Sequence, residues 1–313
     1  MKADDFTHTP VLLEEVLDGL DLRPAGIYID ATFGRGGHSM AILDRLNEKG
    51  RLLVFDKDPD SIRLAEELAA TDTRVQVVHA SFNEIDKHAD GAELLQLVDG
   101  ILFDLGVSSP QLDDASRGFS FMRDGELDMR MNPATGISAA EWVNSEKQDE
   151  IVRVLKEYGE ERFARRIARK IVETRVEQKI THTKQLADLI TEAVPGREKD
   201  KHPATRSFQA IRIFINSELE DLRQALGKVD SVLASGGRLA VISFHSLEDR
   251  IVKRYMREMA AGDAFPPDLP VTFDQLNPKM KLLGKGIKAS KSEIERNPRA
   301  RSAVLRIAEK LAA

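Results

Sequence analysis

The chain has 313 residues, 31% of them charged, and a formal net charge of −6, a length that suits two packed units or one domain with a large insertion. It has no cysteine, which excludes disulfides, a thiolate nucleophile and a cysteine-ligated zinc site and fits a reducing cytosol. No basic-then-apolar leader stands in residues 1–20 and no apolar run approaches the ~20 residues of a membrane span, so a soluble, cytoplasmic protein is expected.

Along the chain, apolar bursts alternate with segments of helical period, the pattern of a parallel sheet with crossover helices. Strands are predicted at 27–29, 51–55, 75–79, 101–103, 238–243 and 303–307. Helices are predicted at 39–46, 60–70 and 84–97. From about 113 to 205 the bursts stop, and helices are expected near 139–158, 161–176 and 184–194. A helix over 208–226 then leads back to the fifth strand. This predicts a discontinuous sheet domain, 1–112 with 206–313, interrupted by a helical insertion, 113–205.

The first chemical feature follows the first strand, where Asp30-Ala31-Thr32-Phe33-Gly34-Arg35-Gly36-Gly37-His38-Ser39 must turn the chain into a helix. Glycines permit positive φ and let a ligand approach backbone N–H groups at a helix start. The run points to an adenosine-bearing ligand, with a ligand-free tight turn as the rival reading. Ser39 stands where a dinucleotide fingerprint has its last glycine, which counts against a nicotinamide cofactor. Asp56 ends the apolar strand Leu52-Leu53-Val54-Phe55, twenty residues beyond Gly36, where an acid can accept hydrogen bonds from both ribose hydroxyls. Asp58-Pro59 is read instead as a helix cap with proline at the first helical position. Phe82, after the third strand, either lies against adenine or packs in the core. Asp104 opens Asp104-Leu105-Gly106-Val107-Ser108-Ser109-Pro110-Gln111 after the fourth strand. It is a functional or a turn-stabilising carboxylate, since burying it without partners is costly.

These runs, with Arg117-Gly118-Phe119-Ser120-Phe121-Met122-Arg123 and Ile242-Ser243-Phe244-His245-Ser246-Leu247-Glu248-Asp249-Arg250, resemble the bacterial 16S rRNA (cytosine-N4)-methyltransferase family called RsmH or MraW. The resemblance extends from His8-Thr9-Pro10-Val11-Leu12-Leu13 through His202-Pro203-Ala204-Thr205-Arg206 to Asn297-Pro298-Arg299-Ala300-Arg301-Ser302. It implies an α/β fold, a Rossmann-like S-adenosylmethionine-dependent methyltransferase sheet with an inserted helical domain. It implies S-adenosylmethionine contacts from Gly36, Gly37, His38, Asp56, Phe82, Asp104 and Gln111. It further implies a target cytosine in the decoding centre of 16S rRNA in the small ribosomal subunit, with the insertion helping to recognise RNA.

Cytosine N4 is a poor nucleophile because its lone pair is delocalised into the ring, so an enzyme must orient it and place acceptors near it. Many amino-methyltransferases carry an Asp/Asn-Pro-Pro-aromatic run after strand four. Here that stretch is Asp104-Leu105-Gly106-Val107, and Phe119, Phe121 or Phe244 are the candidates for stacking on the base, with packing under the loop the rival role for Phe119 and Phe121. Asp104 and His245 are the candidate catalytic groups, with His245 taking the N4 proton or orienting the base. In the alternative, Ser246-Leu247-Glu248-Asp249 is a capping box that simply starts a helix. RNA contacts are assigned to Arg162, Arg165, Arg166 and Arg169, spaced as one helical stripe, with Glu161 competing as a salt-bridge partner of Arg165. A second basic cluster is Lys199, Lys201, His202 and Arg206. From residue 278 on, ten Lys/Arg stand against three acids, a tail that either approaches phosphates or is a solvated charge run. No metal-ligand spacing stands out, and oligomeric state is open, a homodimer among the options. A nicotinamide-dependent oxidoreductase and a catalytically silent ribosome-binding protein are the rival functions.

Overall fold

The computed structural model describes residues 10–196, 202–263 and 274–312. The chain divides into two compact units, Met1–Gly106 with Leu219–Ala313, and Val107–Glu218.

In the first unit one sheet is built from β1 (Ile27–Asp30), β2 (Arg51–Asp56), β3 (Val75–His79), β4 (Val98–Asp104), β5 (Leu233–Ser243), β6 (Met280–Leu282), β7 (Ile287–Lys288) and β8 (Val304–Lys310). Their order is β3-β2-β1-β4-β5-β8-β6, with β7 also on β8. The first five strands run parallel, and β8 is antiparallel to β5, β6 and β7. Both faces are covered. Ile29, Leu53, Phe55 and Phe103 pack with Leu222, Leu226 and Val229 of the helix Glu218–Val232 on one face. Tyr28, Leu52, Val54 and Leu102 pack with Val16, Ile42 and Leu64 on the other. Burial on both faces is why these strands read as unbroken apolar bursts and not as alternating patterns. The chain winds outward from β1 to β3 and then crosses to β4 on the other side of β1. That reversal is the switch point at whose carboxyl end α/β sheets bind ligands.

The second unit packs the helices Ala139–Ser145, Gln148–Gly159, Ala164–Glu177, Thr183–Ala193 and Thr205–Ile215 around Trp142, Leu155, Ile167, Ile190 and Ile211. Two predicted helices are each broken. The segment 139–158 breaks at Glu146 and Lys147, which take extended ψ values of 151° and 146°. The segment 208–226 breaks at Asn216-Ser217, where Ser217 has φ +53°. There the Asn216 amide turns onto the chain at Met129 and Met131, accepting from Met131 N–H and donating to Met129 O, both at 2.7 Å. Neither break involves glycine or proline, so the helical period runs through them. The predicted helix 84–97 stops at Gly91, with Glu93 and Gln96 at positive φ beyond it. Among the described residues no helix is long and apolar enough to cross a membrane.

Candidate functional site

Asp30, Asp56 and Asp104 are the last residues of β1, β2 and β4, three neighbouring parallel strands, so the fold sets three acids along one carboxyl edge. Asp30 is buried; Ser39 Oγ donates to its Oδ2 at 2.6 Å and Thr32 N–H to its Oδ1 at 3.1 Å. These bonds lash the start of the helix Gly37–Leu43 to the strand it follows. Burial nonetheless pushes the Asp30 carboxyl up to about 6.

The intervening turn needs its glycines for geometric reasons. Gly36 has φ +75°, and a Cβ there would stand 2.7 Å from the Phe33 ring; one at Gly37 would meet Pro10 at 2.5 Å. Gly34 N–H donates to Asp56 Oδ2 at 2.8 Å, and Asp58 N–H to Asp56 Oδ1 at 2.9 Å. Burial raises the Asp56 pKa against the pull of those bonds. Asp58 accepts from Asp60 N–H at 3.0 Å and Pro59 opens the helix Pro59–Ala69, so Asp58 is the cap.

Asp104 is anchored through its backbone, its N–H donating to Thr32 Oγ1 at 2.6 Å. Its Oδ1 is buried without a hydrogen-bond partner among the described residues, and its Oδ2 lies 3.5 Å from Nδ1 of buried His38. His38 Nε2 lies 3.1 Å from the Val11 carbonyl. A carbonyl only accepts, so Nε2 carries the imidazole proton and Nδ1 turns a lone pair toward Asp104. Burial lowers the His38 pKa to about 4, which keeps the ring neutral. Burial first, then the charges of Asp30 and Glu248, push Asp104 up to about 8. A protonated Asp104 facing the His38 lone pair satisfies both groups; an ionised one would set two acceptors against each other.

After β3, Phe82 packs edge-on against Phe103 with centroids 5.5 Å apart, and Ser81, Asn83 and Lys57 converge on Asp221 at 2.8–2.9 Å. After β5, Ser243 Oγ is buried and has no hydrogen-bond partner among the described residues. His245 is the N-cap of the helix Ser246–Ala261. Glu248 N–H points at its Nδ1 at 3.5 Å, while Glu248 Oε2 accepts from Phe244 N–H at 2.8 Å. The capping box therefore begins one residue earlier than the sequence reading placed it, at His245 and not at Ser246. Nε2 of His245 lies 3.1 Å from Glu248 Oε1 but makes no hydrogen bond among the described residues, so only Nδ1 serves the box.

In the second unit Gln111 is buried, and its Oε1 accepts from Ser108 N–H at 2.8 Å in a capping box. Phe119 is in the unit's core, and Phe121 lies tilted over His202 and edge-on to Phe208, with centroids 4.6 and 4.9 Å away. The helix Ala164–Glu177 buries Ile167, Ala168 and Ile171 and leaves Arg165, Arg166 and Arg169 exposed. Arg162 is exposed as well but precedes this helix, so the stripe is shorter than its spacing predicts. Glu161 is turned inward, accepting from Phe163 N–H at 2.9 Å, and does not pair with Arg165. Lys199 and Lys201 lie outside the described residues, and Arg206 falls on the helix Thr205–Ile215.

The structure thus joins Gly36, Gly37, His38, Asp56 and Asp104 around one sheet edge, with Phe82 held at its flank. Sequence reasoning passed over Asp30, Thr32 and Glu248. Asp30 carried the same signal as Asp56 and Asp104, an acid closing an apolar strand. Glu248 gave none, since its reach back to the strand end depends on the cap.

The pattern of the MraW methylase family matches residues 5–311. Among solved structures, an rRNA methylase from Streptococcus thermophilus is 11% identical, with 98% of this chain and 100% of that chain covered and a TM-score of 0.43. NSun6 from Pyrococcus horikoshii with SFG is 14% identical, with 100% and 56% covered and a TM-score of 0.45. At such scores these likenesses are loose, and the family match is the firmer finding.

Proposed function

Because the chain belongs to the MraW methylase family, and is thereby an S-adenosylmethionine-dependent methyltransferase of rRNA, we propose that it methylates N4 of one cytosine in the decoding centre of 16S rRNA. The small ribosomal subunit is then its partner and the cytoplasm its place of work. The observation that carries the reading is the acidic edge at the β1/β4 switch point, where Asp104 keeps a buried oxygen without a partner among the described residues. An orphaned acceptor of that kind is costly unless a ligand meets it.

The residues fit the cofactor. Bound S-adenosylmethionine supplies an electrophilic methyl group on a sulfonium. Each Asp56 oxygen that accepts one backbone N–H retains a further lone pair for a ribose hydroxyl. The turn at Gly36 and Gly37 admits close approach to its backbone, and Phe82, fixed by Phe103, offers adenine an apolar surface. His38 holds Asp104 in place, and Gln111 is kept in the cofactor set on the strength of its motif. Asp104 accepts a hydrogen bond from N4–H at its unpartnered oxygen and orients the lone pair, and its ionised form, within reach because its pKa is raised to about 8, takes the surplus proton once N4 is alkylated. His245 is the second catalytic candidate. With Nδ1 turned to the Glu248 amide at the start of the helix, its part is to position the strand-five end.

Substrate recognition is assigned to the insertion, 113–205, through Arg162, Arg165, Arg166, Arg169, Lys199 and Lys201, with Arg206 just beyond it. Mass spectrometry of 16S rRNA from cells with and without the protein is expected to show one cytosine that lacks a methyl group in its absence. An unchanged set of cytosines would refute the substrate and leave the cofactor assignment standing.

A further inference from the structure

The basic tail is folded onto one end of the sheet. Asp104 pairs with Ile242, Ile242 with Leu305, and Leu305 with Ile287, so a single row crosses β4, β5, β8 and β7. Lys288 is next along β7, opposite Val304, which pairs with Ser243. With adjacent strands about 4.8 Å apart, β7 lies about 14 Å from Asp104 along the row. It therefore sits at the same carboxyl edge as the acids, not at the far end of the sheet where β6 pairs.

The segment beyond β7 stays at that edge. Glu293, in the helix Lys291–Arg296, accepts Leu12 N–H at 2.7 Å, and Leu12 follows the residue whose carbonyl fixes His38. The turn Pro298–Ser302 then feeds β8 beside the end of β5. Several cations of this unit are consumed internally: Arg306 by both Asp249 oxygens at 2.7 and 3.0 Å, and Lys310 by the carbonyls of Asp230 and Leu233. Lys288, Lys291 and Arg301 are exposed and make no ion pair among the described residues. Glu293 is spent on Leu12, leaving Glu295 as the exposed acid of this stretch.

We propose that this edge carries the phosphodiester backbone of the RNA substrate past the catalytic crevice, with Lys288, Lys291 and Arg301 each meeting a phosphate. The proposal rests on the rRNA reading above. Asp30, Asp56 and Glu248 repel phosphates, and the edge they share with Asp104 welcomes a neutral base that offers N–H donors. A strand that turns its base toward the acids while its phosphates stay over the cations meets both demands, and base extrusion of this kind is how enzymes reach a ring atom.

The test uses the full chain and its triple variant Lys288→Gln, Lys291→Gln, Arg301→Gln, with binding to an RNA hairpin of the decoding region measured across salt concentrations and S-adenosylmethionine binding measured by calorimetry. Each lost single-strand phosphate contact lowers the slope of log affinity against log salt by about 0.7, so the variant should lose about 2 from the slope and bind more than about tenfold more weakly at low salt. Cofactor affinity should be unchanged. Equal RNA slopes for parent and variant would overturn the proposal, as would a joint loss of RNA and cofactor binding, which would assign the segment to the fold. A parent that binds cofactor but no RNA would instead sink the rRNA reading on which the proposal stands.

Discussion

His38 donates from Nε2 to the Val11 carbonyl, and that bond decides what its neighbour can be, because the remaining lone pair accepts a proton and repels a carboxylate. Asp104, raised from 3.8 to about 8, therefore binds its proton more tightly folded than unfolded. Its contribution to stability is full below the unfolded value and declines as pH rises toward the folded one. His38, lowered from 6.5 to about 4, works in the opposite sense, its contribution being present above 6.5 and lost as pH falls toward 4. Asp104→Asn removes only the first effect. In thermal melts of the cofactor-free protein, the variant's melting temperature relative to the parent should climb steadily from pH 4 to pH 8; a constant difference would mean that Asp104 does not titrate there. Asp56 and Asp104 were legible as acids closing apolar strands. The tautomer of His38 was not, since it is set by a carbonyl 27 residues away in sequence.

The helix Ser246–Ala261 puts a cap where the sequence offered a catalytic histidine. His245 starts the helix through a box closed by Glu248, and Glu248 in turn holds the backbone of Phe244 and His245. Asparagine is a preferred cap, so His245→Asn should leave the melting temperature within a few degrees while removing the imidazole. Methyl transfer should then fall less than about tenfold, against about a hundredfold or more for Asp104→Asn, the range expected for loss of a general base. Abolished transfer in a folded His245→Asn protein would hand the proton to His245. The periodic signal placed the strands and most helices within a few residues, because two-sided burial and amphipathic faces leave strong patterns. It missed the breaks at Glu146-Lys147 and Asn216-Ser217, where long-range hydrogen bonds or a simple change of ψ act without a breaker residue. It also missed β6 and β7, three and two residues long, which are too short to carry a period.

Across the whole molecule the net charge of −6 conceals a division of labour. Acids line the sheet edge, and exposed cations collect on the tail of the first unit and on one helix of the second. The Arg169–Glu173 pair, 3.7 Å apart with both side chains about two-thirds exposed, holds Arg169 only weakly. The triple variant Arg165→Gln, Arg166→Gln, Arg169→Gln should lower the salt slope for RNA by about 2 if the three meet separate phosphates, with cofactor binding and melting temperature unchanged. An unaltered slope would return the stripe to an ordinary solvated face. That the insertion is helical could be read from the sequence. That the basic tail returns to the carboxyl edge could not, because its position depends on which end of β8 the short β7 joins.

Val11 and Leu12 are consecutive, and each is spoken for: the carbonyl of the first steadies His38, and the amide of the second steadies Glu293. One peptide unit is thus a lever between the tail helix and the imidazole that sets Asp104. Any displacement of the tail on meeting its substrate pulls at the group that governs the cofactor pocket, and an energetic link of that kind acts equally in both directions. Each ligand then changes the other's affinity by the same factor whichever arrives first, through two adjacent residues.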